Sequence, residues 1–449
     1  MAVKPEQAVY TLVVGLGRTG LSVVSYLRSL GEPVIVVDSR DIPPGLSEMK
    51  LRYPEVEVHT GAFDARLFLN AQRIVVSPGV PMAEPALVEA HRKNIEITGD
   101  IDLFAHEVYA PVIGITGSNG KSTVTLMVTA MARQCGLNAV ACGNIGTPVL
   151  DALADDVELY VMELSSFQLE TLQRLPMKAS VVLNISADHL DRYENLAAYA
   201  MSKQAIYDNA QVQVVNRDDA LAAVVNPGAA SQLGFTLGPP QAGEFGLVSE
   251  GDTTWLCLGE QKLLAADALK IRGRHNLQNA LAALALAHAA GLPLDGCIEA
   301  LKAFEGLPHR VQFVARINDI DWINDSKATN VGATIAALTG LPGRKVLIAG
   351  GQAKGADFSA LSDVVRQHCR GVVLMGQDSA QLLAAMPEGM AVKTVSDMHA
   401  AVQAAGEMAQ PGDSVLLAPA CASFDIFNSF EHRGEVFIEA VNKLKRGEA

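Results

Sequence analysis

Residues 114–123 read Gly-Ile-Thr-Gly-Ser-Asn-Gly-Lys-Ser-Thr, and they restrict the fold more than any other stretch of the chain. The apolar run Pro111-Val112-Ile113 leads in and predicts a strand over 111–115; the run from 124 to 131 leads out and predicts a helix over 122–134. A glycine-rich turn between strand and helix lets backbone N–H groups approach phosphate oxygens, and the helix N-terminus adds partial positive charge. Gly117, Ser118, Asn119 and Gly120 would form that cradle. Lys121 would reach the terminal phosphates, and Ser122 or Thr123 would offer a hydroxyl to Mg²⁺. The spacing departs from the strict P-loop pattern, with glycines at 114, 117 and 120 and Ile115 where a small residue is usual. A Gly-Lys-Ser-Thr turn also occurs in loops that bind nothing. Strand, loop and helix in the required order favour a nucleoside triphosphate site.

A chain of 449 residues exceeds one ordinary core, and about three domains follow from its length. Apolar residues make up 49% while aromatics are few, so the cores should be built from Val, Leu, Ile and Ala. The net charge of −14, without any Lys/Arg-rich block, argues against a nucleic-acid partner. Anionic small molecules would then need cations concentrated locally. Cysteines 135, 142, 257, 297, 369 and 421 lack Cys-x-x-Cys spacing, as free thiols in a reducing compartment would. Lys4 and Glu6 precede a short apolar run ending at Gly15, without a signal-peptide cleavage pattern. No apolar run approaches bilayer-spanning length, and the alanine-rich stretch 279–290, interrupted by His288, reads as a core helix. A soluble cytoplasmic protein without membrane insertion is expected.

Along the first 100 residues strands are predicted at 10–14, 34–37 and 74–76, with an amphipathic helix at 20–30: the rhythm of a parallel sheet. Gly99-Asp100-Ile101-Asp102 reads as a boundary. From 111 to 305 a larger α/β unit is expected, with strands at 111–115, 137–141, 159–163, 180–184 and 213–215. Its helices are expected at 122–134, 196–208 and 277–290, and a small antiparallel patch within 228–268. Gly306-Leu307-Pro308 marks the next boundary. Alternation returns with strands at 345–349, 371–375 and 414–417 and helices at 398–408 and 430–444. The fold class is α/β in three domains, 1–99, 100–306 and 307–449. N- and C-terminal Rossmann-like parallel sheets flank a central P-loop-type ATPase domain, with strand C-terminal ends facing a shared cleft.

Gly15-Leu16-Gly17-Arg18-Thr19-Gly20 has the spacing of a dinucleotide fingerprint, and Asp38 ends the next strand as a ribose-binding acid would. The pattern suits an oxidoreductase, and equally any ligand carrying a pyrophosphate and a ribose. Ser39 and Arg40 are placed for a phosphate or a uracil edge. Glu163, closing an apolar strand near the phosphate loop, stands where a Mg²⁺ ligand belongs; without that neighbour it reads as an exposed loop carboxylate. His189, between Asp188 and Asp191, favours a metal or phosphate role. Lys203 reads as an ordinary surface lysine of a helix. His309-Arg310 and Asp325 through Asn330 cluster polar groups that are either turns or a nucleotide clamp. The stretches 350–355 and 418–425 also follow strands, where an anionic small molecule can be held.

Together with Val76-Ser77-Pro78-Gly79, His275-Asn276 and Phe430-Glu431-His432-Arg433-Gly434, these motifs resemble the Mur ligase family over the whole chain and in the right order. Arg18 and Ser39 sit where that family varies. The resemblance implies ATP-dependent amide-bond formation through an acyl phosphate in peptidoglycan precursor synthesis. It implies UDP-N-acetylmuramoyl-L-alanine and D-glutamate as substrates, ATP, two Mg²⁺ sites and a monomer. Carried over residue by residue, it places Gly117 through Thr123 at the ATP phosphates, Asn276 and Asn279 on the adenine side, and Arg310 and Asp325 at the nucleotide clamp. It gives Ser122, Glu163, His189 and Lys203 to metal, Lys203 as a carbamate; Lys121, Glu163, His189 and Lys203 form the catalytic set. Thr19, Ser39, Arg40, Ser77 and Gly79, with Asp38 from the fingerprint, would take UDP, and Asn144 and His189 the muramoyl-alanine end. Thr329, Lys354, Ser423 and Phe430 would hold D-glutamate. Another amide ligase of the folylpolyglutamate type is opposed by the N-terminal glycine fingerprint. A nicotinamide oxidoreductase leaves Lys121 unexplained, and a regulatory nucleotide-binding protein would perform no chemistry.

Overall fold

Three sheets organise the chain in the computed structural model, which describes residues 9–188, 192–224 and 231–447. The first contains β1 (Thr11–Val14), β2 (Val34–Asp38), β3 (Glu57–Thr60), β4 (Arg73–Val76) and β5 (Glu96–Thr98), in the order β3-β2-β1-β4-β5. Every pairing in it is parallel. The central strand β1 is buried at all four positions, as a strand covered on both faces requires. Gly20 starts the packing of the following helix, Arg18–Ser29, against the sheet: a side chain there would collide with the Gly15 carbonyl. That close approach accounts for the third glycine of the fingerprint.

The second sheet has nine strands: β6 (Val112–Thr116), β7 (Ala139–Gly143), β8 (Leu159–Glu163), β9 (Met177–Val182), β10 (Ala210–Asn216), β11 (Ser231–Phe235), β12 (Phe245–Glu250), β13 (Thr253–Leu258) and β14 (Gln261–Ala265). Their order is β14-β13-β12-β11-β10-β9-β6-β8-β7, which sets β6 between β9 and β8. The antiparallel patch expected within 228–268 is the meander β12-β13-β14, but it is no separate unit. Parallel pairing of β11 with β10, and of Phe235 with Phe245, makes it an extension of the main sheet. The strand expected at 180–184 ends at Val182, which leaves Asn184 in the loop beyond. The helix expected at 196–208 is α-helical only over Leu196–Gln204 and tightens to a 3₁₀ turn at Ala205–Tyr207. At the boundary expected over 99–102 the helix Asp100–Glu107 begins, with Asp100 and Asp102 in its first turn.

The third sheet runs β15 (Gln312–Ile317), β16 (Ile320–Asn324), β20 (Ser414–Leu417), β17 (Lys345–Gly350), β18 (Cys369–Met375), β19 (Ala391–Thr394) in spatial order. It is parallel apart from the β15–β16 hairpin, which the sequence reading did not anticipate. Asn318 and Asp319 turn the hairpin with φ of 52° and 61°, the left-handed pair a tight two-residue turn demands. Trp322 of β16 is buried beside Phe437 of the last helix, Phe430–Arg446. The first unit docks on the second through Ser22 Oγ donating to Asp151 (2.7 Å) and Arg18 donating to the Gly146 carbonyl (3.0 Å). One apolar cluster, including Leu16, Leu21, Tyr160 and Met162, runs continuously across both. Among the described residues no helix is long and apolar enough to cross a membrane.

Candidate active site

Where β6 ends at Thr116, the chain turns through Gly117 (φ 148°) and Gly120 (φ 85°) into the helix Lys121–Gln134. A side chain at Gly117 would press on Leu183 and the Asn184 backbone, and one at Gly120 would strike the Asn279 amide. Both positions therefore need glycine for conformation and for space. The loop is fastened to the end of β9. Ser118 N–H donates to the Asn184 carbonyl (2.9 Å) and Asn119 N–H to Asn184 Oδ1 (2.8 Å), while Asn184 Nδ2 donates to the Asn119 carbonyl (3.0 Å). Lys121 Nζ folds back onto the carbonyls of Gly117 (2.8 Å) and Ser118 (3.1 Å). Burial lowers the Lys121 pKa below the usual lysine range, and Glu163 opposes that shift. Arg310 reaches across from the third unit and donates to Ser122 Oγ at 3.0 Å.

Glu163 ends β8, in register with Ile115 of β6, and is buried. Its Oε1 accepts from Asn144 Nδ2 at 2.8 Å, whereas Oε2 is buried without a hydrogen-bond partner. Lys203 corrects the surface-lysine expectation. It is 2% exposed, its Nζ lies 3.4 Å from Thr116 Oγ1 and 4.8 Å from the centre of the Tyr199 ring. The helix Leu196–Gln204, capped by the Asn195 side chain, turns that face inward. Burial holds the amine far below its ordinary pKa, Lys121 pushes it the same way, and Asp188 and Glu163 oppose. Such surroundings disfavour the charged form of the amine. His189 lies outside the described residues. Among those described, no group of three or more His, Cys, Asp or Glu side chains is set to hold a metal. The orphaned, buried Glu163 oxygen, at the end of the strand next to the phosphate loop, nevertheless fits a hard divalent cation that completes its shell with phosphate oxygens and water.

Two clefts flank this centre. The larger, of about 780 Å³, is lined by Asn119, Gly120, Thr123, Asn276, Asn279, Arg310 and Asp325, so the expected nucleotide residues of two units converge. Burial pushes the Asp325 carboxyl up to about 7 against the pull of Arg310. The other cleft, of about 530 Å³, is lined by Thr19, Asp38, Ser39, Arg40, Ser77, Gly79 and Asn144. Asp38 is turned inward: it accepts from Leu16 N–H (2.7 Å), Arg40 N–H (2.9 Å) and the Arg40 guanidinium (2.9 and 2.6 Å). Its geometry suits an organiser of the loop and of Arg40. Arg18 and Gln168 line the same cleft and were not singled out beforehand.

At the C-terminal ends of β17 and β20, Gln352 and Ala422 exchange two 3.0 Å backbone hydrogen bonds, joining the loops that carry Lys354 and Ser423. Lys354 is exposed, with φ 50° and Nζ 5.4 Å from the Phe424 ring; Ser423 is buried. Arg433, 2% exposed, donates to Ser326 Oγ (3.0 Å), the Ser326 carbonyl (2.8 Å) and the Cys421 carbonyl (3.1 Å). One guanidinium thereby ties the 325–330 loop, with Thr329, to the loop carrying Ser423. Lys327 was missed as a single residue: its Nζ sits 3.7 Å from the Phe430 ring, and burial with Arg310 nearby brings it down to about 8. Only its place in the Asp325–Asn330 cluster hinted at it.

A phosphate loop on a central sheet, met by Arg310 from the third unit, is the site of a nucleotide-dependent enzyme, and comparison with known proteins gives its class, a ligase. Residues 9–99 match the Mur ligase MurD-like N-terminal domain, 115–287 the Mur ligase middle domain, and 309–421 the Mur ligase glutamate ligase domain. The chain belongs to the Mur ligase family, whose members use ATP and Mg²⁺. It is 50% identical over 445 residues to the UDP-N-acetylmuramoylalanine–D-glutamate ligase of Nitrosococcus oceani, covering 98% of each chain. It is 48% identical over 439 residues to the ligase of that name from Pseudomonas aeruginosa, covering 97% of this chain and 98% of that one. Solved structures share the fold. A pseudomurein peptide ligase type C from Methanothermus fervidus aligns with TM-score 0.61 at 20% identity, covering 97% of this chain and 100% of that one. UDP-N-acetylmuramate-alanine ligase from Thermotoga maritima aligns with TM-score 0.59 at 19% identity and the same coverage.

Proposed function

We propose that this chain adds D-glutamate to UDP-N-acetylmuramoyl-L-alanine with ATP, giving ADP and phosphate, as a step of peptidoglycan precursor synthesis. The observation that carries the reading is near-full-length identity of about half to ligases of that name. The muramoyl-alanine carboxylate attacks the γ-phosphorus, ADP leaves, and an acyl phosphate forms. The D-glutamate amine then adds to the acyl carbon, and phosphate departs from the tetrahedral intermediate. Lys121 exchanges its loop carbonyls for phosphate oxygens and neutralises the transferred group. Arg310 exchanges Ser122 for nucleotide phosphate. Asn276 and Asn279 take the adenine end, with Asp325 behind Arg310.

The uridine diphosphate lies in the cleft of Thr19, Ser39, Arg40, Ser77 and Gly79, with Asn144 of the same cleft toward the muramoyl-alanine end; His189 is assigned to that end by the family resemblance alone. Asp38 acts there through Arg40. Thr329, Lys354, Ser423 and Phe430 receive D-glutamate, with Lys354 pairing to a carboxylate. Lys327, between the phosphate site and Phe430, keeps the incoming carboxylates close to the reacting centre. Ser122, Glu163, His189 and Lys203 as a carbamate would hold two Mg²⁺ ions, which when bound offset phosphate charge. Burial that disfavours the ammonium form suits carbamate formation, since the uncharged amine attacks CO₂. The working form is a cytoplasmic monomer divided near 99/100 and 306/307. Phosphate release from ATP tests the reaction. It should require both UDP-N-acetylmuramoyl-L-alanine and D-glutamate; release with either alone, or with neither partner effective, rejects the assignment.

A further inference from the structure

Cys135 caps the C-terminal end of the phosphate-loop helix Lys121–Gln134 and is partly exposed. Its sulfur rests on the first turn of the helix Leu294–Ala303, where the thiol donates to the Pro293 carbonyl at 3.6 Å. Gly296 leaves room for it: a Cβ there would stand only 2.7 Å from Cys135 Sγ. The next residue, Cys297, is fully buried, and its thiol engages that of Cys135. The other buried thiols differ. The groups that act on Cys142, Cys257, Cys369 and Cys421 are chiefly charged side chains, such as Asp100 for Cys142 and Lys345 for Cys369. Nothing in the proposed reaction uses the Cys135–Cys297 pair. An accessible sulfur against a buried second one is the arrangement of an attacking thiol and its resolving partner.

We propose that Cys135 and Cys297 are an oxidation site, converted by hydrogen peroxide to a disulfide that joins the end of the phosphate-loop helix to the helix Leu294–Ala303. The Cys135 sulfur attacks one peroxide oxygen, the O–O bond breaks, water leaves, and Cys135 becomes a sulfenic acid. The Cys297 sulfur then displaces the hydroxyl from Cys135, and its own proton leaves with that hydroxyl as a second water. Two thiols lose two electrons, and one peroxide becomes two waters. The bridge sits at the far end of the helix from Lys121, so it spares the nucleotide site and links two helices of the central domain.

The test is peptide mapping of the full chain after brief peroxide treatment, alkylation in denaturant and digestion, with and without dithiothreitol. The expected product is a peptide pair containing Cys135 and Cys297, lighter by two hydrogens than the separate thiols and released by dithiothreitol, with the other four cysteines alkylated. Cys135→Ser should abolish the linked pair, leave Cys297 alkylated, and keep phosphate release before oxidation within about twofold of the unsubstituted chain, since the smaller hydroxyl can still donate to Pro293 and lies at the far end of the helix from Lys121. Recovery of Cys135 as sulfinic or sulfonic acid with Cys297 still alkylated overturns the proposal. So does recovery of both Cys135 and Cys297 alkylated, with no linked pair, after peroxide treatment.

Discussion

Lys121 and Lys203 begin as two helical lysines and end with different chemistry because their surroundings differ. Lys121 sits on a glycine turn with carbonyls as stand-ins for phosphate; Lys203 is buried between the Tyr199 ring and the Thr116 hydroxyl. Replacing Lys121 with alanine should lower kcat by roughly 10²–10³-fold, the loss typical of one preorganised charge donor. Steady-state phosphate release measures it, and near-normal turnover refutes the ATP-site assignment. Lys203→Ala should lose activity and regain part of it with short-chain carboxylic acids, which refill the site of the missing carbamate. Failure of rescue while nucleotide still binds in calorimetry removes that role. Lys121 was legible because strand, loop and helix are local signals. Lys203 was not, since a helix-surface position shows nothing of the strand β6 that lies over it.

Arg433 acts at the scale of elements, holding two loops that emerge from β16 and β20 by bonds to Ser326 and Cys421. Arg433→Met should raise KM for D-glutamate by tenfold or more, about 1–3 kcal/mol for carbonyls left unpaired. KM for ATP should change little, and Arg433→Lys should recover part of the loss. An equal rise in both KM values would mean general destabilisation. The parallel cores of the first and third sheets were readable from apolar runs punctuated by Gly and Pro. The β15–β16 hairpin was not, because its turn is Asn318-Asp319 rather than Asn-Gly and its strands carry Arg316 and Asp321. The helix after the Asn195 cap began where expected and moved only at its C-terminal end, into the Ala205–Tyr207 turn, whereas the helix Val331–Gly340, capped by Asn330, was not foreseen.

Across the whole molecule, the third domain meets the second at His275, whose buried ring donates to the Ala336 carbonyl while Nδ1 has no hydrogen-bond partner. Burial lowers this imidazole from 6.5 to about 4. The folded state therefore resists a proton that the unfolded chain accepts, so stability holds above pH 6.5 and declines as pH falls toward 4. Denaturant titrations should find about 2 kcal/mol lost between pH 7 and pH 5 from this group, and His275→Gln should flatten that slope. An unchanged slope in the variant refutes the assignment. Such an interface is invisible in sequence, because His275 and Ala336 meet only once the domains are assembled.

The same junction carries Gly306, His309 and Val311 with positive φ, and Val311, at 46°, is β-branched. Backbone held there costs on the order of 1–3 kcal/mol per non-glycine residue. The docked pose is thus wound like a spring, kept by Arg310–Ser122 and by Asn330 with Asn119 and Asp188. A ligand that draws Arg310 off Ser122 replaces that tie with its own, and when it leaves, Ser122 can take the guanidinium back.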